Sequence, residues 1–246
     1  MASFSRRLSV ALVLALPAAA IAQDAGHGFL FGTPTGAVTF HGGWAAARAH
    51  GGLFAFTTDR LTLDRGDFSS PSVGMDVAFN AFRRTQVVLS ADFSGIDRHS
   101  EFRKYIDNND KPIEQATNFR RFPVTVSVKQ YLNSSGRSIG KFAWIPSRAA
   151  AYVGAGGGME YYRFHQDGDF VDFETLNVFH DTFESDGWTP VAHAFAGFDY
   201  TLSPRFAITT EGRYVWSHAS LSDDFAGFTP LDLSGFGTTV GLTIRF

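Results

Sequence analysis

Gly237-Thr-Thr-Val-Gly-Leu-Thr-Ile-Arg-Phe246 ends the chain, and in it Val240, Leu242, Ile244 and Phe246 alternate with Thr239, Gly241, Thr243 and Arg245. A period of two over eight positions marks a strand with one apolar and one polar face. The same pattern recurs seven times upstream. It runs through residues 37–47 (Val38, Phe40, Trp44, Ala46), 72–82 (Val73, Met75, Val77, Phe79) and 86–96 (Val87, Leu89, Ala91, Phe93). It returns in residues 122–132 (Val124, Val126, Val128), 149–164 (Val153, Ala155, Met159, Tyr161), 188–202 (Ala192, Ala194, Ala196, Phe198, Tyr200) and 206–217 (Ile208, Thr210, Tyr214, Trp216).

Between these eight segments the connections run long, short, long, moderate, long, short, long. The short ones lie at Arg83-Arg84-Thr85 and Ser203-Pro204-Arg205; residues 97–121 and the acidic residues 165–187 read as long loops. A sandwich has no reason to sort its loops in this way, whereas a membrane barrel has short turns at one end and long loops at the other. The expected fold is all-β, an eight-stranded antiparallel up-and-down transmembrane β-barrel. The alternative is ten strands, with residues 53–63 and 170–179 supplying the extra pair.

Charge sorts with the pattern. The apolar parity of the eight segments holds no Asp, Glu, Lys or Arg at its central positions, and the other parity holds Asp76, Asp92, Lys129, Glu160, Asp199, Glu211, Arg213 and Arg245. A Lys or Arg facing lipid at mid-bilayer costs about 2–4 kcal/mol, so the apolar parity is expected to face outward. The mixed-sign set is expected to pair within a narrow lumen as a structural network, with His41 and His193 as hydrogen-bonded filler. Trp44, Trp188 and Trp216 fall at one end of the strands, and Phe82, Tyr200 and Phe246 near the other, as two interfacial aromatic girdles require.

The bulk composition agrees. The 246 residues carry a formal net charge of −3, 25 Gly, 26 Phe and no Cys. Thiolate metal sites and disulfides are excluded, and the charge is not basic enough for a nucleic-acid protein. Arg6-Arg7, the apolar run Leu8 to Ile21 and the small-x-small Ala20-Ile21-Ala22 read as a secretory signal peptide over residues 1–22. The run of roughly 14 residues is shorter than the ~20 that span a bilayer as a helix. Residues 23–36 then form a Gly-rich lead, and residues 37–246 the barrel domain.

The eight-strand pattern, the inward Glu211-x-Arg213 pair followed by Tyr214, and the terminal Gly-Leu-Thr-Ile-Arg-Phe resemble the small outer-membrane β-barrel superfamily, which includes the OmpA-barrel, OmpW and opacity-type proteins. Thr239, Gly241, Ile244 and Phe246 look like the C-terminal signal by which barrel proteins are recognised for assembly. The resemblance implies export to the outer membrane of a Gram-negative-type bacterium. It also implies barrel-assembly machinery and periplasmic chaperones as partners, and lipid and lipopolysaccharide as surroundings.

Three functions compete. The leading expectation is a non-enzymatic barrel that presents surface loops and is plugged by paired charges, without cofactor, metal or catalytic residues. The second is an OmpW-like conduit for small apolar solutes, lined by Phe54, Phe56 or Phe170. The third is a lipid A-modifying enzyme using His218 and Ser220, with Asp223 or Asp224 orienting the histidine. In the acidic segment, Asp167-x-Asp169-x-x-Asp172 has oxygen ligands for a hard cation but not EF-hand spacing, and a solvated surface loop is the expectation there.

Overall fold

The computed structural model describes residues 28–107 and 110–246. The proposed signal peptide therefore lies outside the described residues, as does the start of the lead. Eight long strands follow one another: β1 (Gly36–Ala47), β2 (Ser70–Phe82), β3 (Thr85–Ile106), β4 (Pro112–Tyr131), β5 (Ala149–Val171), β6 (Val178–Thr201), β7 (Phe206–Ala219) and β8 (Gly235–Arg245). Each pairs antiparallel with the next, and β8 pairs with β1 from Gly235↔Ala47 to Arg245↔Ala37, so the ring closes at eight rather than ten strands. Closure leaves no edge strand with unpaired backbone donors. The carbonyl of Phe246 accepts from the backbone N–H groups of Thr35 and Gly36 and finishes the seam.

Two expected loops are absent. Residues 97–121 and 165–187 continue β3–β4 and β5–β6 as tall hairpins, paired as far as Ile106↔Pro112, across a register shift after Glu101↔Glu114, and Val171↔Val178. These strands are 20 to 24 residues long, against the 9–11 that cross a bilayer. The surplus of about ten residues corresponds to roughly 33 Å along the strand.

The polarity of the two faces explains why this part looked like loop. Low in the barrel, Val87, Leu89, Val126, Val128 and Val153 point outward while Ser90, Ser127 and Lys129 point in. Higher up the arrangement inverts. Ile96, Phe102, Ile113, Phe119, Tyr162 and Phe164 are buried, and Asp97, Glu101, Glu114 and Arg120 are exposed. The inversion falls at an outward row of aromatic residues, Phe122↔Tyr161↔Trp188, directly below the row Arg120↔Arg163↔Asp186.

A helix, α1 (Gly52–Arg60), occupies the long connection after β1, where the ten-strand alternative has a strand. Its Leu53, Phe54 and Thr57 are buried. The Phe54 ring meets Phe68, Phe119 and Phe164 edge-on at 4.8, 6.0 and 6.2 Å. With Leu61, Leu63, Phe225, Leu231 and Leu233 these residues form an apolar core that fills the upper barrel. At the other end, the connector after β4 folds into two short strands, Gly136–Ile139 and Ala143–Pro146, which pair with each other, the second also with Leu30–Phe31. This three-stranded flap lies across the lower mouth and carries the buried Trp144.

The upper core makes a direct prediction. Phe54→Ala opens a cavity in a site packed by three rings, and large-to-small changes of this kind cost about 3–5 kcal/mol. A lowered urea midpoint of the refolded protein, with the barrel's far-ultraviolet circular dichroism retained, is the expected reading.

Candidate functional site

All eight charged residues singled out from the sequence lie on the inward parity, and the structure gathers them into three groups rather than one ladder. Lowest is Asp199, 2 % exposed, which accepts hydrogen bonds from Tyr131 (2.6 Å) and Thr209 (2.8 Å), with Lys129 Nζ 3.6 Å away. The Lys129 ammonium also sits 3.6 Å above the Tyr152 ring, a cation–π contact. From Thr209 a hydroxyl chain continues through Thr243 to Thr39 at 2.5 and 2.7 Å, so that β6, β7, β8 and β1 are linked from inside across the closing seam.

The middle group is centred on Arg213. Its guanidinium reaches Glu211 Oε1 at 2.8 Å and Asp92 Oδ2 at 3.2 Å, and Glu211 accepts from the Tyr152 hydroxyl at 3.1 Å. His41 Nε2 lies 3.6 Å from both Asp76 and Asp92. Two glycines give this imidazole its space. A Cβ on Gly74 would collide with the Asp92 carboxylate and the His41 ring, and one on Gly241 would press on the His41 Cβ and the Phe40 carbonyl. Gly241 therefore has a packing reason within the stretch expected to act as assembly signal. His193 donates to or accepts from Ser127 at 2.7 Å, as filler would.

The upper group was missed in part. Glu160, fully buried, pairs with Arg121 at 2.6 Å. Arg121 falls in the segment 97–121 that reads as loop, and the signal for it in the sequence is its shared parity with Thr125 and Lys129 along one strand. A cavity of about 90 Å³ bounded by Thr125, Glu160, His193 and Arg213 adjoins this pair. Glu160 Oε2 and Thr125 Oγ1 have no protein partner, and a polar space of this size can hold water.

Arg245 departs from expectation. It points inward, but its guanidinium donates to Thr201 Oγ1 (3.2 Å) and the Pro204 carbonyl (3.4 Å) and lies 5.6 Å from the Trp144 ring. The ion partner of Asp199 is Lys129 instead. Trp44, Trp188 and Trp216 are 48, 57 and 49 % exposed on the outward face, and Tyr200, also exposed, stands at the opposite end beside Arg148.

The remaining candidates are dispersed. His218 faces outward and approaches Asp232 at 3.6 Å, while the Ser220 carbonyl accepts from Tyr162. Asp223 and Asp224 form a short turn, in which Asp224 accepts from the Glu184 backbone. Asp167 accepts from Thr182, Asp169 lies 3.1 Å from His180, and Asp172 closes its own turn through Thr175. Among the described residues no three His, Asp or Glu side chains converge as a metal site would require.

Two of the three phenylalanines considered for a conduit line a pocket. Phe56 and Phe170 join Phe102, Phe173, Phe183 and Phe228 around a space of about 200 Å³ at the upper mouth. Phe54 is packed beneath it in the core.

The chain is similar to solved β-barrels. These include the outer membrane protein OprG from Pseudomonas aeruginosa (15 % identity, 87 % of this chain and 98 % of that one, TM-score 0.49). They also include Neisserial surface protein A (11 %, 89 % and 98 %, 0.45) and the N-terminal β-barrel domain of Pseudomonas aeruginosa OprF (10 %, 87 % and 100 %, 0.35). No family model matches, and no curated protein matches. The fold assignment stands on the strand pairing itself.

Two predictions follow from these groups. Arg121→Ala leaves Glu160 charged and unpaired in the lumen, and breaking a buried pair costs about 3–5 kcal/mol. Arg121→Met combined with Glu160→Leu is expected to recover most of that loss, which denaturant titration of the three proteins measures. Above the girdle, the Arg163 hydrogen bond, with help from His165, holds the Glu184 carboxyl below its ordinary value of 4.5. A depressed folded-state value stabilises above the unfolded value and loses that effect as pH falls through the folded one. Protection factors of the β5–β6 hairpin amides, corrected for the intrinsic pH dependence of exchange, should therefore fall as pH drops below about 4.5, and Glu184→Gln should remove that fall.

Proposed function

We propose that this protein is a non-enzymatic integral outer-membrane β-barrel, a closed frame that holds two tall hairpins and the α1 segment at the cell surface. The supporting observation is the outward face. From Val38 on β1 to Phe246 after β8, its positions between the two aromatic levels hold no Asp, Glu, Lys or Arg, while the lumen holds paired charges of both signs. Only an apolar surround makes that sorting favourable, because each charge moved to the outward face at mid-bilayer costs about 2–4 kcal/mol.

The barrel acts as a frame rather than a pore because its interior is occupied at successive levels. The Asp199, Arg213 and Glu160 groups fill the lower and middle lumen, and aromatic packing fills the upper part. Lipid, lipopolysaccharide and the barrel-assembly machinery are the partners this reading entails. Export by the signal peptide belongs to the same proposal.

A second reading is favoured by one observation, the phenylalanine-lined pocket at the upper mouth. It would receive a small apolar solute, as a conduit of the OmpW kind does. Reconstitution in planar bilayers separates the two. The frame reading expects no stable single-channel steps, and regular steps would overturn the plug. In cell fractions the protein should appear in the outer membrane as a heat-modifiable band, and recovery from the soluble periplasm alone would overturn the membrane reading. Val126→Lys, outward at mid-band, should lower folded stability in lipid by about 2–4 kcal/mol, whereas Glu101→Lys, above the band, should change it little.

A further inference from the structure

The lower mouth carries a feature that the frame reading leaves unused. Between the barrel floor and the flap lies a cavity of about 1110 Å³, more than five times the phenylalanine-lined pocket of about 200 Å³. Its floor is formed by Lys129, Tyr131, Thr243 and Arg245, and its roof by Ser135, Arg137, Ser138 and Trp144 of the flap. Arg83 and Arg84 of the short β2–β3 turn stand at its side.

The charge of this space is one-sided. Five cationic side chains, Arg83, Arg84, Lys129, Arg137 and Arg245, face a single acid, Asp199. That acid is already engaged by Tyr131, Thr209 and Lys129. Among the described residues, none of the four arginines has a carboxylate within ion-pair distance; Arg84 and Arg245 bond only to carbonyl and hydroxyl oxygens. In the lumen above, by contrast, Arg121 and Arg213 have acid partners at 2.6 and 2.8 Å. The chain thus pairs the cations of its lumen with acids, and around this cavity leaves the exposed Arg83, Arg84 and Arg137 and the buried Arg245 converging without a carboxylate, an arrangement that an anion from outside would complete.

We propose that this vestibule binds a small anion bearing two or more phosphate groups. Guanidinium groups present planar, forked donors that match phosphate oxygens, and the Ser135 and Ser138 hydroxyls add neutral donors beside them. The flap makes the space a chamber rather than an open surface. It is held by the Leu30↔Trp144 pairing and by the Thr33–Ser138 hydroxyl contact at 3.0 Å. The phosphates could belong to a soluble molecule or to a lipid headgroup in the adjoining leaflet. The two sources share the same chemistry.

Isothermal titration of the folded protein with sodium pyrophosphate, at constant ionic strength in zwitterionic detergent, should show saturable binding. The double variant Arg84→Gln/Arg137→Gln changes two exposed side chains and should keep the heat-modifiable band. Its affinity should fall about tenfold or more, since each charge-assisted bond lost contributes appreciably. Trp144 reports the same event independently. Pyrophosphate should alter the fluorescence of the unsubstituted protein, and Trp144→Phe should abolish that response. Absence of saturable binding, or equal affinity in the unsubstituted and double-variant proteins, overturns the site while leaving the frame reading untouched. Repeating the titration in nanodiscs with and without cardiolipin identifies the source. Competition specific to the unsubstituted protein points to a lipid headgroup, and unchanged affinity to a soluble anion.

Discussion

The structure depends on β8 having a partner on both sides. Flanked by β7 and β1, it turns a curled sheet into a ring, and every other feature follows from that closure. A strand edge in an apolar surround would leave backbone N–H and C=O groups without partners at several kcal/mol each, so the ring must be complete before the outward face can be apolar. Once complete, eight strands enclose only enough room for side chains. The Thr39–Thr243–Thr209–Asp199 chain uses that narrowness, since residues from four consecutive strands meet within hydrogen-bonding distance behind the seam.

Narrowness also sets the character of the lumen. Glu160 and Asp199 are nearly inaccessible, and each carboxylate has a cation beside it: Arg121 on one oxygen of Glu160, and Lys129 near Asp199, which Tyr131 and Thr209 also hydrogen-bond. Such networks add little net stability compared with well-packed apolar side chains. They do reject any register in which these residues would face outward, because a one-residue slip moves every side chain to the other face. The apolar core around Phe54 has no such discrimination and gives the upper barrel its cohesion instead.

How much was legible in the sequence follows from the same physics. The eight strands, the closing role of the last one and the inward parity of Asp76, Lys129 and Arg213 could be read because apolar and polar residues alternate with a fixed sense. The tops of β3 to β6 could not be read by that sense. Ile96, Phe102, Phe119 and Phe164 continue the alternation with inside and outside exchanged, so a search for outward apolar residues stops where the girdle stops. Arg121 was lost with them. The helix at Gly52–Arg60 was hidden for another reason. Thr57 and Thr58 weaken its propensity, and tertiary burial of Leu53 and Phe54 supplies what local preference does not. The vestibule depends on two distant segments, 30–31 and 136–146, meeting across the floor, and no local pattern announces such a meeting.

The exchange of inside and outside along continuous strands joins two materials in one ladder. Below the aromatic row the protein is built as a lipid-facing object; above it, β3 to β6 with α1 and the loop residues around Phe225 and Leu233 enclose an oily centre within a charged rim, as a water-soluble protein does. The two halves answer to different solvents. Agents that weaken hydrophobic burial in water act on the upper half alone, and loss of that half would shorten β3 to β6 without opening the ring beneath. The molecule is thus two sections in series that share strands but not a solvent.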